Sequence, residues 1–169
     1  MADAEERLPE VYVQPGESHL SREPVIFRTV LGSCVGVTFL IPRLRVGAIC
    51  HPMLPRYPEN PPSGVSLAWG CRYVDFSVRD LARQFDALGA LRTEVRVKLF
   101  GGGDVLEVKQ DSVRPTVGRM NREVAMRVLA EEGFAIAASS LGGTCGLNIQ
   151  FHTGTGQVLL KRLGSSGER

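Results

Sequence analysis

The sequence lacks the features that mark several classes of protein. No run of apolar residues approaches the ~18 that a membrane-spanning helix needs, and no block of like charge breaks the near balance of 20 basic and 18 acidic residues. The first ten residues, MADAEERLPE, have no apolar stretch of the kind found in secretory signals. We therefore expect a soluble, cytoplasmic protein with no membrane insertion and no nucleic-acid partner.

Metal-binding and disulfide patterns are also missing. The four cysteines are irregularly spaced and form no C-x-x-C pair, which argues against a zinc site and a disulfide framework. The glycine run that ends KLFGGG lacks the following Gly-Lys-Ser/Thr of a phosphate-binding loop. We expect no metal and no organic cofactor. The cysteines are Cys34, Cys50, Cys71 and Cys145.

What remains is enough for one packed domain. The chain has 169 residues, 43% of them hydrophobic, with no internal repeat and no linker. We predict a polar N-terminal leader over residues 1–22, with one strand at EVYVQPG, then a main domain over 23–163 and a frayed tail over 164–169.

Local patterns predict an α/β domain with mainly antiparallel strands and two principal helices. One amphipathic helix is predicted from Asp75, as N-cap, to about residue 88, with Gly89 after its end, and a second over residues 119–132. The proline-rich stretch 55–66 is predicted to be a loop. Strands are predicted at VIFRTVL, VGVTFLI, RVGAICH, EVRVKLF and FAIAASS, and a terminal hairpin at LNIQFH-TGTG-QVLLKRL.

Cys34 and His51 lie on two predicted strands that are joined at Pro42. A tight turn centred between Pro42 and Arg43 would place the cysteine directly opposite the histidine in an antiparallel pair. The same pairing sorts the strands into an apolar core face that contains Cys50 and a second face that contains Cys34 and His51.

This geometry is suited to nucleophilic catalysis. An adjacent imidazole can accept the thiol proton and hold a thiolate–imidazolium pair. Gly32 allows a tight turn that leaves the N–H groups near Ser33 free to bind an oxyanion. A third group should orient the imidazole, and Thr29 and Thr38 are the two local candidates. From the residues alone, a structural Cys–His pair remains an equal alternative.

A series of motifs resembles the CheD family of chemoreceptor glutamine deamidases. In chain order they are TVLGSCVGV, HPMLP seventeen residues after the cysteine, RYVD, KLFGGG, GRMN, LGGT and TGTGQVLLKRL. The resemblance covers about Val25 to Leu163.

The resemblance implies a layered α/β/β sandwich, similar to the catalytic domain of cytotoxic necrotizing factor toxins, with a Cys-His-Thr triad. It implies hydrolysis of glutamine side-chain amides, and of glutamyl methyl esters, on the cytoplasmic helices of methyl-accepting chemoreceptors. The CheC phosphatase is an implied partner. Carried onto this chain, the nucleophile is Cys34, the base is His51 and the third residue is Thr29.

Other positions are assigned less directly. Gly102, Gly103, Gly142 and Gly143 are predicted to line a substrate groove. The chain departs from many members at Cys50 and Pro52, where they have asparagine and phenylalanine, and at Leu147, where they have arginine. Two alternatives therefore stay open: a non-catalytic chemotaxis binding module, and a thiol acyl hydrolase with another substrate.

Overall fold

The computed structural model describes residues 7–106 and 113–164. The outermost parts of the predicted leader and tail, residues 1–6 and 165–169, lie outside the described residues. Within the described part there are nine strands and three α-helices. The strands are β1 Glu10–Tyr12, β2 Ser18–Ser21, β3 Ile26–Leu31, β4 Val35–Ile41, β5 Val46–Cys50, β6 Arg96–Gly101, β7 Ile136–Leu141, β8 Leu147–His152 and β9 Val158–Arg162. The helices are α1 Leu67–Gly70, α2 Val74–Ala87 and α3 Val117–Glu131.

The strands form two sheets. One has four strands in the order β1-β3-β8-β9, and the other has five in the order β2-β5-β4-β6-β7. The β1–β3 and β6–β7 pairs are parallel and the remaining pairs are antiparallel. The predicted excess of antiparallel strands and the terminal hairpin, β8–β9, are thus confirmed.

The two sheets and the long helices stack as three layers. One face of the five-stranded sheet packs against α2 and α3, and the other face packs against the four-stranded sheet, which gives two separate hydrophobic cores. Every residue of β4 and β5 is buried because both of their faces are covered. The α/β/β layering expected for the chain is therefore confirmed.

The helix-side core is centred on aromatic packing. Phe39 of β4 lies 5.3 Å from Phe85 of α2 and 5.6 Å from Phe134, measured between ring centroids. The predicted core face of β4 and β5, including Cys50, belongs to this cluster. The opposite face, which includes Ile49, forms the second core with the other sheet, so both faces of these strands are packed.

The segment predicted as a leader contributes to both sheets. The expected strand at EVYVQPG is present as β1, which pairs with β3. The segment also contains β2, which the sequence did not predict because SHLS has no apolar alternation. Strand β2 pairs antiparallel with β5, so that Ser18 lies opposite Cys50.

The prediction of Asp75 as an N-cap is wrong by two residues. Tyr73 occupies that position and makes no side-chain cap. Asp75 lies in the first turn, and its carboxylate accepts hydrogen bonds of 2.8 Å from the N–H groups of Tyr57 and Phe76. It thereby fastens the proline-rich loop to the helix. The far end is as predicted, with Gly89 at a φ of 72°.

The predicted register of β4 and β5 is also wrong. Pro42–Leu44 form one turn of 3-10 helix, and Arg45 follows in the left-handed conformation at a φ of 53°. The connection is therefore longer than a two-residue turn, and Val37 pairs with Cys50. Because the register differs by an even number of residues, each side chain keeps its predicted face.

None of the helices in the described part of the chain is long and apolar enough to cross a membrane.

Candidate active site

The imidazole of His51 is held by groups from two other segments. Its Nδ1 lies 2.7 Å from Thr29 Oγ1 on β3 and 3.3 Å from the carbonyl oxygen of Val13. The Thr29 hydroxyl donates to the same Val13 carbonyl at 2.7 Å. Since a carbonyl can only accept, all three contacts are satisfied together when the hydroxyl donates to Val13 O and Nδ1 carries the imidazole proton.

The opposite nitrogen, Nε2, is therefore the basic one. It is buried and has no hydrogen-bond partner within the described residues. The backbone of His51 is fixed as well: its N–H donates to Glu17 O at 2.9 Å, and its carbonyl accepts from Gly16 N at 2.7 Å. An unprotonated ring nitrogen without a partner is what a general base requires.

The loop that contains Cys34 is held through its carbonyl groups. The carbonyl of Gly32 accepts from Gly103 N at 3.0 Å, and that of Cys34 accepts from Gly102 N at 2.7 Å. The carbonyl of Ser33 accepts from the side-chain amide of Asn121 at 2.9 Å. With all three carbonyls engaged on one side, the loop has a fixed orientation.

The N–H groups of the same loop are available. Those of Ser33 and Cys34 donate to no other residue in the described part of the chain, and the N–H of Cys34 lies close enough to its own sulfur to affect the thiol. These donors meet the requirement for an oxyanion site: preorganised N–H groups beside the nucleophile. The sequence predicted free N–H groups here from Gly32, and their role in binding an oxyanion stays a prediction.

Cys34 and His51 are diagonal neighbours on one face rather than directly opposed residues. The β4–β5 pairing extends past the strand ends through a 3.4 Å hydrogen bond from Val35 N to Pro52 O. Cys34 and His51 flank this bond on the face that packs towards the second sheet. Diagonal residues in a sheet lie ~7–8 Å apart and remain within reach of a long or aromatic side chain.

Burial shifts the pKa values of both Cys34 and His51. Burial raises the pKa of the Cys34 thiol, although the nearby N–H of Cys34 partly opposes this change. Burial lowers the pKa of His51, against smaller opposing effects of the Val13 carbonyl and Glu17. Both shifts favour the neutral thiol and neutral imidazole, whereas the sequence suggested a thiolate–imidazolium pair.

Close packing surrounds the glycine run that supports the loop. A Cβ atom at Gly101, whose φ is 92°, would lie 2.4 Å from the carbonyl oxygen of Cys34. Gly102 and Gly103 are buried beneath the loop, whereas Gly142 is half-buried and Gly143 is exposed. Gly142 donates to Gly101 O at 2.9 Å, which ties the second glycine pair to the first.

The alternative third residue, Thr38, lies elsewhere. It is buried on β4 opposite Lys98, and together they line a cavity of about 450 Å³ that contains neither Cys34 nor His51. No hydrogen bond joins Thr38 to His51 among the described residues. The structure therefore brings Thr29, and not Thr38, to the imidazole.

Two contributors to the site have no individual signal in the sequence. The Val13 carbonyl is a backbone group that every residue has, so the residue type at position 13 gives no sign of its role. Asn121 is fully buried, and its amide also donates to Met53 O at 2.9 Å. Its position within the GRMN motif is the only sign of it in the sequence.

The fold and this cluster define a class: a three-layer α/β protein with a cysteine, a histidine and a threonine gathered at the interface of two sheets. The family model described as CheD chemotactic sensory transduction matches residues 53–162. The chain belongs to this family. The matched range begins after Thr29, Cys34 and His51, so the case for those residues rests on their geometry.

Relatives align over almost the whole chain. A probable chemoreceptor glutamine deamidase CheD 2 of Geobacter sulfurreducens is 44% identical over 157 residues, which are 93% of this chain and 92% of the relative. A probable chemoreceptor glutamine deamidase of Maridesulfovibrio salexigens is 37% identical, with 90% and 91% covered. One of Archaeoglobus fulgidus is 31% identical, with 90% and 92% covered.

Proposed function

We propose that this protein is a chemoreceptor glutamine deamidase. It acts in the cytoplasm on the cytoplasmic helices of methyl-accepting chemoreceptors and converts glutamine side chains into glutamate and ammonia. The hydrogen bond between Thr29 and His51 is the observation that carries the proposal, because it leaves Nε2 free to accept a proton, on the sheet face that also carries Cys34. The names of the curated relatives point to the same activity.

The first half of the reaction forms a thioester. His51 Nε2 takes the proton from the Cys34 thiol as the sulfur attacks the glutamine side-chain carbonyl. The N–H groups of Ser33 and Cys34 stabilise the negative charge on the carbonyl oxygen. His51 then gives its proton to the amide nitrogen, the C–N bond breaks, and ammonia leaves.

The second half uses the same groups with water as the nucleophile. His51 Nε2 takes a proton from water as the water oxygen attacks the thioester carbonyl. The C–S bond breaks, the proton returns to the sulfur, and glutamate is released. A glutamyl methyl ester enters the same cycle with methanol as the leaving group, so both activities use one site. No step calls for a metal or an organic cofactor.

A thiol that starts neutral suits this cycle. A free thiolate in a buried site would need a permanent positive charge beside it, and His51 is disposed to be neutral. The ion pair then forms only as the sulfur attacks, when the developing oxyanion and the loop N–H groups can stabilise the separated charge.

The substrate approaches across the half-buried loop. The side chain of Val105 packs against this loop, so that a Cβ atom placed on Gly32 would lie 3.1 Å from its Cγ2 atom. The next residue, Leu106, is 80% exposed. We assign this apolar edge, with Gly142 and Gly143, to contact with the receptor helix. Gly102 and Gly103 act from below by holding the loop.

The CheC phosphatase is the second proposed partner.

The direct test is mass spectrometry of a receptor cytoplasmic fragment after incubation with the protein. Wild type is expected to convert specific glutamines to glutamate and to release ammonia, and Cys34→Ala is expected to do neither. Cys145→Ala is the matched control because Cys145 is the other half-buried thiol, and it should retain activity. A fragment with methyl-esterified glutamates tests the esterase reaction through methanol release.

Three other outcomes would contradict the proposal. Binding of the fragment by wild type and Cys34→Ala without conversion would indicate a non-catalytic regulatory module. Turnover of unrelated amides but not of the receptor would indicate a different thiol acyl hydrolase. Conversion by Cys34→Ala at the wild-type rate would exclude this nucleophile. Calorimetric titration with CheC tests the second partner separately.

A further inference from the structure

Helix α3 provides one buried side chain that touches both halves of the proposed site. The two protons of the Asn121 side-chain amide are shared between Ser33 O, in the nucleophile loop, and Met53 O, two residues after His51, at 2.9 Å each. The two carbonyls come from segments that are separated by the whole of the β4–β5 hairpin. Of the two ends of an asparagine amide only the –NH2 can donate, so the orientation of the amide is determined by its two carbonyl partners.

The other end of the same side chain is unsatisfied. The Oδ1 atom of Asn121 accepts no hydrogen bond within the described residues, and the whole residue is buried from solvent. A buried acceptor without a partner destabilises the folded state. What the side chain contributes here is therefore its two donated hydrogen bonds, to Ser33 O and Met53 O.

The helix is brought close to the loop by its own first turn. A Cβ atom at Gly118 would lie 2.2 Å from the carbonyl oxygen of Gly103, so only glycine permits this approach. Arg122 then donates to Gly102 O at 2.7 Å. Gly118 and Arg122 fasten the helix to the glycine run, and Asn121, between them in sequence, reaches beyond it to the catalytic segments.

We propose that Asn121 is a positioning residue that sets the distance and angle between Cys34 and His51. It does so by clamping the carbonyls of Ser33 and Met53, which also keeps the N–H side of the nucleophile loop free for the oxyanion. The inference rests on the proposed function for the roles of Cys34 and His51. Asn121 itself contacts no reacting atom.

The test uses Asn121→Asp and Asn121→Ala. The aspartate has nearly the same shape but opposes two carbonyls with an acceptor, and alanine removes the clamp altogether. Because a displacement of about 1 Å in a catalytic group can cost ~100-fold in rate, kcat for deamidation should fall by about 30- to 300-fold while KM changes less than about threefold. Val128→Ala, two turns further along the same helix, is the matched control for loss of stability.

A second readout does not depend on the receptor substrate. The rate at which iodoacetamide alkylates Cys34 is followed against pH by mass spectrometry of the peptide that contains it. The Asn121 variants should shift this profile towards that of His51→Ala, whereas Val128→Ala should follow wild type. If no deamidation is found with any variant, this profile still tests the clamp, so the two proposals fail separately.

Clear results would overturn the inference. One is a folded Asn121 variant whose kcat and alkylation rates stay within threefold of wild type. The other is a Val128→Ala variant that shows the same losses as the Asn121 variants at the same Tm as theirs. If both Asn121 variants fail to fold, NMR of the wild type decides: the Asn121 side-chain amide protons should exchange slowly with solvent. Fast exchange would exclude the clamp.

Discussion

Replacing Thr29 with valine tests the orientation of His51 with little change in shape. Valine has nearly the volume of threonine but puts a methyl group where the hydroxyl was, so the main loss is hydrogen bonding. In the folded protein that hydroxyl donates to Val13 O and accepts from His51 Nδ1, both at 2.7 Å. The variant leaves Nδ1–H with the Val13 carbonyl alone, at 3.3 Å.

The size of the effect follows from these contacts. Leaving a buried donor poorly satisfied costs about 1–3 kcal/mol. Because the bond to Nδ1–H becomes about twice as strong when His51 is charged, a further cost of similar size falls on the transition state, and kcat/KM should drop by a factor of about 5–150. KM should change little because Thr29 is fully buried and contacts no substrate. The free energy of unfolding should fall by a similar ~1–3 kcal/mol.

Ammonia release from a receptor fragment measures the activity, and urea unfolding measures the stability. Thr38→Val is the matched control, since Thr38 is an equally buried threonine without a bond to the imidazole. Thr29→Ser keeps the hydroxyl and should lose less than Thr29→Val. Full activity in folded Thr29→Val, or an equal loss in Thr38→Val, would refute the orienting role of Thr29.

Four further predictions concern the pH dependence of activity and of stability, backbone packing and the core. Because burial lowers the pKa of His51 and raises that of Cys34, the acid limb of kcat/KM should lie below about pH 6.5. The unfolding free energy should also decrease as pH falls below about 6.5, where the unfolded chain binds a proton that the folded one resists; urea titrations of wild type and His51→Gln check this. Gly101→Ala should cost about 1–3 kcal/mol more than Gly143→Ala, because both have positive φ but only Gly101 would meet a carbonyl; equal urea midpoints would contradict this. Phe85→Ala should cost about 3–5 kcal/mol in the same assay, since its ring is fully buried.

The prediction for β4 and β5 rested mainly on the alternation of side chains between the two faces of a strand. Alternation decided which residues share a face, and that assignment survived an error in the turn because the actual register differs by an even number. The error itself had a local cause. Arg45 adopts a left-handed conformation that arginine rarely takes, and no residue in IPRLRV predicts that conformation.

Contacts between distant backbone groups set the limit of prediction. The free N–H groups of the Cys34 loop could be anticipated from Gly32, because a tight turn has consequences within a few residues; their role as oxyanion donors stays a prediction. The roles of Val13 and Asn121 could not, since each depends on which carbonyls the folded chain brings alongside. Strand β2 was missed for a similar reason: its four residues are polar and are held by pairing with β5 rather than by their own pattern.

The proposed site draws residues from all three layers of the fold. Thr29 belongs to the four-stranded sheet, His51 follows the last residue of β5 in the five-stranded sheet, and Asn121 belongs to the helical layer. The Thr29–His51 bond therefore exists only when the sheets are packed together, and the bonds from Asn121 exist only when α3 is docked. Under the proposed mechanism, Cys34 therefore becomes reactive only in the completed sandwich, because in the open chain the thiol has no base beside it and no fixed N–H groups in front of it.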